Sequence, residues 1–191
     1  MKIGVLALQG NYEMHNQLLE RIGIDPVSIR YPRELDTVEG LVIPGGESTT
    51  MSKLMKRIGF YKPLKSFAID YPILGTCAGL ILMSKIVVDT DIEPLGLLDV
   101  QIERNGYGRQ INSNTINIKF ELDSINYTLP ASFIRAPKIV SYGNSIKVLA
   151  MSDETPIIVR NDKHMGISFH PELDNTSILH EYIFIDDKTK K

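Results

Sequence analysis

Residues 71–83 read YPILGTCAGLILM and contain Cys77, the one cysteine of the chain, between Gly75 and Gly79. The apolar residues before Gly75 predict a short buried strand, and those after Gly79 predict a helix. A cysteine in a Gly-x-Cys-x-Gly turn at such a junction is a thiol version of the nucleophile elbow. The strained turn leaves no room for a Cβ atom beside it, and a helix N-terminus favours a thiolate. Cys77 could instead be a small buried hydrophobic residue, but the motif favours a nucleophile.

Strands and helices alternate through the first half of the sequence. The predicted strands cover residues 2–8, 27–29, 41–43 and 71–74, and the predicted helices cover residues 11–22, 48–57 and 61–69. Ser48 or Thr49 is the predicted N-cap of the second helix. This alternation predicts an α/β fold, a single-domain three-layer sandwich with a mostly parallel sheet flanked by helices. Ligands bind such sheets at the carboxyl ends of the strands, where Gln9-Gly10, Gly45-Gly46 and Cys77 are all expected.

The second half of the chain has a different character. Residues 100–169 are rich in Ile, Val, Asn and Thr and are interrupted by turn-forming pairs, which predicts further, partly antiparallel strands joined to the same sheet. A closing helix is predicted over residues 178–185. We therefore predict one domain over residues 1–186 and a polar C-terminal tail over residues 187–191.

A partner for the thiol is predicted near the C-terminus, in His170-Pro171-Glu172. Pro171 keeps His170 out of the helical region, and in an extended chain His170 and Glu172 point to the same side. A carboxylate beside an imidazole sets the orientation that a Cys–His pair needs. The candidate catalytic triad is Cys77, His170 and Glu172. Its acid follows the histidine, whereas the α/β-hydrolases place the acid before it.

Six segments extend this pattern over most of the chain. They are Gly4–Gly10, Pro44–Thr49, Gly75–Gly79, Arg104–Gln110, Phe133–Pro137 and Phe169–Leu173. Together, in this order, they resemble the glutaminase subunits of pyridoxal 5′-phosphate synthase, which are triad-type (class I) glutamine amidotransferases with a flavodoxin-like sheet. One departure is Gly106, where the family pattern has alanine.

The resemblance implies an activity and a set of roles. Glutamine would be hydrolysed to glutamate and ammonia through a glutamyl thioester on Cys77. The oxyanion hole would use backbone N–H groups of Ala78 and of the Gly45-Gly46 turn, since preorganised donors are placed where negative charge develops.

The same resemblance implies where glutamine binds. The expected binding residues are Gly46, Glu47, Ser48, Arg104, Ile134 and Arg135. An arginine binds a carboxylate through two hydrogen bonds, but Arg104 or Arg135 could instead form a surface ion pair, and the sequence does not choose between them for the glutamine carboxylate. Glu47 could also compensate the charge of a helix N-terminus.

The resemblance further implies a partner, the synthase subunit that uses the ammonia to build pyridoxal 5′-phosphate (vitamin B6). Glutaminase subunits of this family decorate a dodecameric synthase core, and Gln9 and Gly10 are expected at the interface or in activation. No cofactor and no metal site is expected. His15, His164 and His180 are predicted to be surface histidines or internally satisfied ones.

Composition agrees with this assignment. The chain has 191 residues, a formal net charge of −2 and a pI near 6.1, which argues against nucleic acid or an anionic membrane as partner. No apolar run approaches the length of a membrane span, and a single cysteine excludes an internal disulfide framework. We therefore expect a cytoplasmic protein.

Three other functions are compatible with these residues. The chain could be a glutaminase that serves another synthase, a Cys–His peptidase or general hydrolase on a related sheet, or a binding protein without catalysis. The intact triad argues against the last of these. Ammonia release from glutamine, measured with and without the synthase subunit, separates the alternatives.

Overall fold

The computed structural model describes residues 1–88, 90–104, 106 and 114–185. In chain order the elements are β1 (Lys2–Leu6), α1 (Tyr12–Arg21), β2 (Asp25–Ile29), a 3₁₀ helix (Pro32–Thr37), β3 (Leu41–Ile43), α2 (Ser48–Ile58), α3 (Tyr61–Asp70), β4 (Ile73–Thr76), α4 (Ala78–Met83), β5 (Ser84–Val87), β6 (Leu98–Glu103), β7 (Asn114–Leu122), β8 (Ile125–Phe133), β9 (Lys138–Tyr142), β10 (Lys147–Ser152), β11 (Thr155–Arg160), β12 (Met165–Ile167) and α5 (Ile178–Phe184).

A seven-stranded sheet in the order β10-β11-β12-β4-β3-β1-β2 forms the centre of the molecule. Strands β12, β4, β3, β1 and β2 run parallel, and β11 and β10 complete one edge in antiparallel pairing. Because the sheet is mostly parallel and is flanked by helices, the predicted fold class is confirmed. The pairing also places the ends of β3, β4 and β12 side by side, with Ile167 opposite Thr76.

The two faces of the sheet contribute to separate hydrophobic clusters. Ile3 and Val5 of β1 pack with residues of α1 and α5 and of the β7–β8 hairpin. Leu6 of the same strand packs with residues of α2, α3 and α4. Alternate strand residues thus point to opposite faces, as the pleat of a strand requires, and the sheet lies between two covering layers.

The strands of the second half do not all join this sheet. Strands β10, β11 and β12 extend it, as predicted, but β5, β6 and β9 form a separate three-stranded sheet and β7 and β8 a two-stranded hairpin. The prediction of one sheet was therefore wrong for β6, β7, β8 and β9, whereas β5 lies before the residues to which that prediction applied. The reason is burial on one face only: Leu98, Val100 and Ile102 of β6 are buried in the cluster beneath α2 and α4, so β6 covers the core instead of extending the sheet.

Helix α2 begins at Ser48, and its N-cap is Glu47. The Glu47 carboxylate accepts hydrogen bonds from the backbone N–H groups of Thr49 (3.1 Å) and Thr50 (2.7 Å). The prediction of Ser48 or Thr49 as the cap was wrong because Ser48 already lies inside the first turn and is buried.

The C-terminal helix ends at Phe184, one residue short of its predicted limit. Residue 186 and the predicted tail 187–191 lie outside the described residues, so the domain boundary stays a prediction. In the described ranges, no helix is long and apolar enough to cross a membrane.

Candidate active site

Cys77 lies in the turn between β4 and α4, at the carboxyl edge of the parallel strands. Its backbone has φ 48° and ψ −101°, a region that residues other than glycine rarely adopt, and its N–H donates to the Ile167 carbonyl at 2.8 Å. A Cβ on Gly75 would lie 2.4 Å from Met83 Sδ, and a Cβ on Gly79 would lie 1.9 Å from the Ile43 carbonyl oxygen. The two glycines therefore permit the close packing of strand and helix that an elbow requires.

His170 is buried beside this turn. The preceding strand, β12, ends at Ile167, and His170 is followed by a turn in which the Leu173 N–H donates to the His170 carbonyl at 3.2 Å. His170 and Glu172 nevertheless face each other, with Nδ1 of His170 2.7 Å from Oε1 of Glu172. The two side chains lie on the same side because Pro171 begins a turn. The prediction that an extended chain would bring them together was therefore wrong.

The electrostatics of the site favour a charged pair. Burial lowers the pKa of His170, but hydrogen bonds to the side chains of Cys77 and Glu172, together with their negative charge, raise it to about 10. Burial raises the pKa of Glu172, but the hydrogen bond to His170 and the charges of His15 and His170 lower it to about 2. Glu172 is therefore ionised at neutral pH, and His170 keeps a proton when a thiolate lies beside it. The predicted triad residues are thus brought together.

Glu172 also contacts residues to which the sequence assigned no role in the site. Asn11 donates from Nδ2 to Glu172 Oε1 at 3.2 Å, and Nε2 of His15 lies 3.4 Å from Glu172 Oε2. Nδ1 of His15 lies 3.0 Å from Nε2 of His180. Neither histidine is at the surface, since the exposed fraction of both is 0%. The available signal was position: Asn11 is the N-cap of α1 and His15 lies in its first turn, and α1 is the helix that follows β1 at the same edge as Cys77.

The predicted oxyanion turn lies against the imidazole ring of His170. A Cβ on Gly45 would lie 2.3 Å from Cε1 of His170. The Gly45 carbonyl accepts a hydrogen bond from the Asn11 N–H at 3.1 Å. Ala78, the other predicted contributor, is the first residue of α4, where backbone N–H groups lack partners within the helix.

Gln9 and Gly10 contact the same glycine turn. The side-chain oxygen of Gln9 accepts from the Glu47 N–H at 2.8 Å, and a Cβ on Gly10 would lie 1.9 Å from the Gly45 carbonyl oxygen. Gly10 has φ +96°, which favours glycine independently of space. Any movement of the Gln9-Gly10 segment would therefore move Gly45 and Gly46.

Glu47 and Arg104, both predicted to bind glutamine, form an ion pair with Nη2 of Arg104 3.1 Å from Oε1 of Glu47. Nη1 of Arg104 donates to Thr49 Oγ1 at 3.0 Å. Burial raises the pKa of Glu47, but hydrogen bonds from Thr50 and Thr49 lower it to about 2. Glu47 thus compensates the N-terminus of α2, as the alternative interpretation held, and it also orients a guanidinium group.

Ile134 and Arg135 follow β8 and are exposed. The Ile134 carbonyl lies 3.9 Å from Sγ of Cys77, so this segment borders the thiol. Arg135 has φ 47°, the left-handed region that is costly for a residue with a Cβ. Such strained residues cluster at ligand sites.

The segment from Arg104 to Gln110 is described only at its start. Tyr107, Arg109 and Gln110 lie outside the described residues. At Gly106, the departure from the family pattern, a Cβ would lie 2.3 Å from Cβ of Lys138. The backbone here therefore leaves no space for the alanine that the pattern has.

Comparison with known proteins agrees with the geometry. Residues 5–190 match the SNO glutamine amidotransferase family. A protein of Thermosipho africanus, named pyridoxal 5′-phosphate synthase subunit PdxT, is 46% identical over 95% of this chain and 96% of its own length. The protein of the same name from Brevibacillus brevis is 43% identical over 97% of this chain and 96% of its own length.

Solved structures give the same result. A crystal structure of a glutamine amidotransferase is 35% identical, covers 97% of this chain and 98% of its own, and superposes with a TM-score of 0.90. The structure of PurLQS from Thermotoga maritima is 20% identical with a TM-score of 0.63, covers 99% of this chain and 93% of its own, and shares the fold. The chain belongs to the SNO glutamine amidotransferase family, and the relationship predicted from the six sequence motifs is confirmed.

Proposed function

We propose that this chain hydrolyses L-glutamine at Cys77 and transfers the ammonia to a synthase subunit that makes pyridoxal 5′-phosphate. The observation that carries the proposal is the arrangement of Cys77, His170 and Glu172 at the carboxyl edge of β4 and β12. The elbow presents the thiol, and the 2.7 Å contact with Glu172 holds the imidazole. Relatives more than 40% identical bear the name of the corresponding subunit.

The reaction proceeds in two halves. The Cys77 thiolate attacks the side-chain amide carbon of glutamine, the carbon–nitrogen bond breaks, and His170 gives its proton to the departing nitrogen, which leaves as ammonia. His170 then removes a proton from water, the hydroxide attacks the thioester, and glutamate leaves as the thiolate reforms. Glu172 keeps His170 oriented and stabilises its charged form through both halves.

The oxyanion that forms in each half requires donors. We assign the Ala78 N–H as one of them and an N–H of the Gly45-Gly46 turn as the other. The Gly45 carbonyl is bonded to Asn11 in this structure, and a peptide between two glycines rotates with little steric cost. Removal of one such donor commonly costs about 3 kcal/mol of transition-state stabilisation.

Glutamine is held by Gly46, Glu47, Ser48, Arg104, Ile134 and Arg135 in this proposal. Glu47 presents a negative charge suited to the substrate ammonium, and the two arginines present positive charge suited to its carboxylate. Arg104 is already oriented by Glu47 and Thr49, whereas Arg135 is exposed on a strained turn beside the thiol. A comparison of KM between variants of the two arginines will assign the carboxylate.

Free ammonia is lost to protonation and to solvent, so the ammonia must pass directly to a synthase that consumes it. We propose that the partner docks near Gln9 and Gly10 and acts through their contacts with Gly45 and Gly46. A dodecameric synthase core surrounded by glutaminase chains is the expected assembly. The lone thiol of Cys77 suits the reducing cytoplasm, where we place the complex.

The test is release of ammonia and glutamate from L-glutamine, with and without the pyridoxal 5′-phosphate synthase subunit. Cys77→Ala and Cys77→Ser remove the nucleophile in matched proteins, and L-asparagine serves as the control substrate. We expect release that requires Cys77 and rises with the synthase. Release indifferent to the synthase would assign the glutaminase to another partner. If folded protein releases no ammonia either with or without the synthase subunit, the proposal is overturned. Cleavage of peptide or ester reporters would then indicate a hydrolase.

A further inference from the structure

A chain of buried polar contacts continues behind Glu172, away from the thiol. Nε2 of His15 lies 3.3 Å from Oγ1 of Thr76 and 3.4 Å from Oε2 of Glu172. Nδ1 of His15 lies 3.0 Å from Nε2 of His180. His15 and His180, hereafter the histidine pair, are both fully buried. Two helices, α1 and α5, thus each supply one histidine to a line of groups that ends at the catalytic carboxylate.

The carboxylate itself requires a donor on this side. Oε1 of Glu172 accepts from His170 and Asn11, whereas Oε2 is buried and makes no hydrogen bond of standard geometry to any described residue. A buried carboxylate oxygen without a donor is costly. Among the described residues, the contact recorded for Oε2 of Glu172 is with Nε2 of His15, at 3.4 Å.

These contacts select the tautomers of the histidine pair. A proton on Nε2 of His15 has two oxygens nearby, Thr76 Oγ1 at 3.3 Å and Glu172 Oε2 at 3.4 Å, so Nδ1 of His15 must accept, and Nε2 of His180 must donate to it. Nδ1 of His180, which has no hydrogen bond within the described residues, is then a bare lone pair. The opposite assignment would leave an N–H of His180 buried without an acceptor and would turn the His15 lone pair toward a carboxylate.

Burial supports neutral rings. It is the largest effect on both pKa values: it lowers the pKa of His15 and lowers the pKa of His180 well below the usual value, although the Glu172 charge opposes it at both rings. The titratable groups that face His15 are Glu172, His170 and His180. The histidine pair therefore directs an N–H dipole at Glu172 and adds no positive charge to that of the protonated His170.

We propose that His15 is a positioning residue of the glutaminase site, and that it donates its Nε2 proton toward Oε2 of Glu172 while His180 fixes its tautomer. Glu172 is then held between two imidazoles, with His170 on one oxygen and His15 beside the other. This arrangement fixes the carboxylate plane, and through it the ring of His170. The catalytic part of this inference rests on the proposed function, but the tautomers do not.

The first test is therefore independent of activity. Nitrogen-15 NMR of histidine side chains distinguishes Nδ1–H, Nε2–H and doubly protonated rings, and the chain has only four histidines to assign. At pH 7 we expect His15 and His180 as neutral Nε2–H tautomers. A His15 ring protonated on Nδ1 alone, or on both nitrogens, would overturn the inference even if the protein is an active glutaminase.

The second test uses kinetics of the full chain with its synthase partner. We expect His15→Leu to lower kcat by about 10- to 100-fold with little change in KM, by analogy with groups that orient the ligands of a metal. The acid limb of kcat/KM should move to higher pH, because Glu172 becomes easier to protonate. His15→Gln, which keeps a side-chain N–H near the Nε2 position, should recover much of kcat.

A matched control comes from a buried histidine outside the site. Nδ1 of His164 accepts from the Ile73 N–H at 3.2 Å, and asparagine can replace that acceptor. His164→Asn should leave kcat and the acid limb unchanged. If His15→Leu is folded and has the same kcat and the same acid limb of kcat/KM as the wild type, His15 has no positioning role. Inactive wild-type protein would refute the proposed function, and the NMR result would still decide the inference.

Discussion

Gly45 packs so closely on His170 that a Cβ at position 45 would lie 2.3 Å from Cε1 of the imidazole. The turn that we assign to the oxyanion hole therefore directly contacts the histidine that we propose as the general base. Gln9 and Gly10 contact the same turn. A displacement at the edge of the sheet can thus reach both the oxyanion donors and His170, which is the property that a partner-activated glutaminase needs.

Gly45→Ala should reduce glutaminase activity by about 100-fold or more, because the new methyl group must displace the His170 ring or the turn, and misplacement of about 1 Å has that cost. The measurement is kcat beside the free energy of unfolding. Gly59→Ala is the control: its Cβ would meet no atom within 4 Å, but φ is +84°, so it should lower stability while kcat is kept. Full activity in Gly45→Ala would contradict the placement of the turn.

Glu172→Gln should lower kcat and also change the response to acid. The pKa of Glu172 in the folded protein is about 2, below its usual value of 4.5. The ionised group therefore contributes stability above pH 4.5, and that contribution is lost as pH falls toward 2. The wild type should lose on the order of 3 kcal/mol more than Glu172→Gln over this interval. Urea unfolding at a series of pH values measures the difference, and parallel curves would refute it.

His164 should produce a pH dependence of its own. Burial and the Lys163 charge lower its pKa from 6.5 to about 4. The unfolded chain takes up a proton near pH 6.5 but the folded chain does not, so stability is full above pH 6.5 and falls between 6.5 and 4. His164→Asn should remove this part of the pH dependence of the unfolding free energy. An unchanged slope in the variant would show that His164 takes up its proton at the same pH in the folded and unfolded chains.

Substitutions of the two arginines should separate their roles in glutamine binding. Arg104→Lys loses the pair of contacts that the guanidinium makes with Glu47 and Thr49. Arg135→Gly removes the guanidinium of Arg135, and the glycine that replaces it adopts φ 47° without strain. The variant that removes the carboxylate partner should raise KM by about 10-fold or more with a smaller change in kcat. If both variants keep the wild-type KM, neither arginine holds the substrate carboxylate.

Local signals explain why the sheet and the elbow could be predicted from the sequence. Apolar runs bounded by glycine and proline mark the parallel strands, and the glycines around Cys77 mark a turn whose packing leaves no space for side chains. The cap of α2 was missed because the choice between Glu47 and Ser48 depends on the burial of Ser48, which is a property of the packed fold.

Contacts distant in sequence explain most of what could not be predicted. His15 and His180 are separated by 165 positions and meet only because α1 and α5 cover the same face of the sheet. The separate sheet of β5, β6 and β9 likewise depends on which core the buried face of β6 covers. The alternation of apolar residues in β6 predicts which face of the strand is buried, but it does not identify the elements that this face packs against.

The most direct test of the account is to label the nucleophile with a glutamine analogue that carries an electrophilic diazoketone in place of the side-chain amide. In the presence of the synthase partner we expect one adduct, located on Cys77 by peptide mass spectrometry, blocked by excess L-glutamine and absent from Cys77→Ser. Loss of ammonia release should parallel the labelling. Ammonia release that survives in Cys77→Ser, or inactivation by an adduct on another residue, would contradict the claim that Cys77 is the nucleophile of a glutaminase.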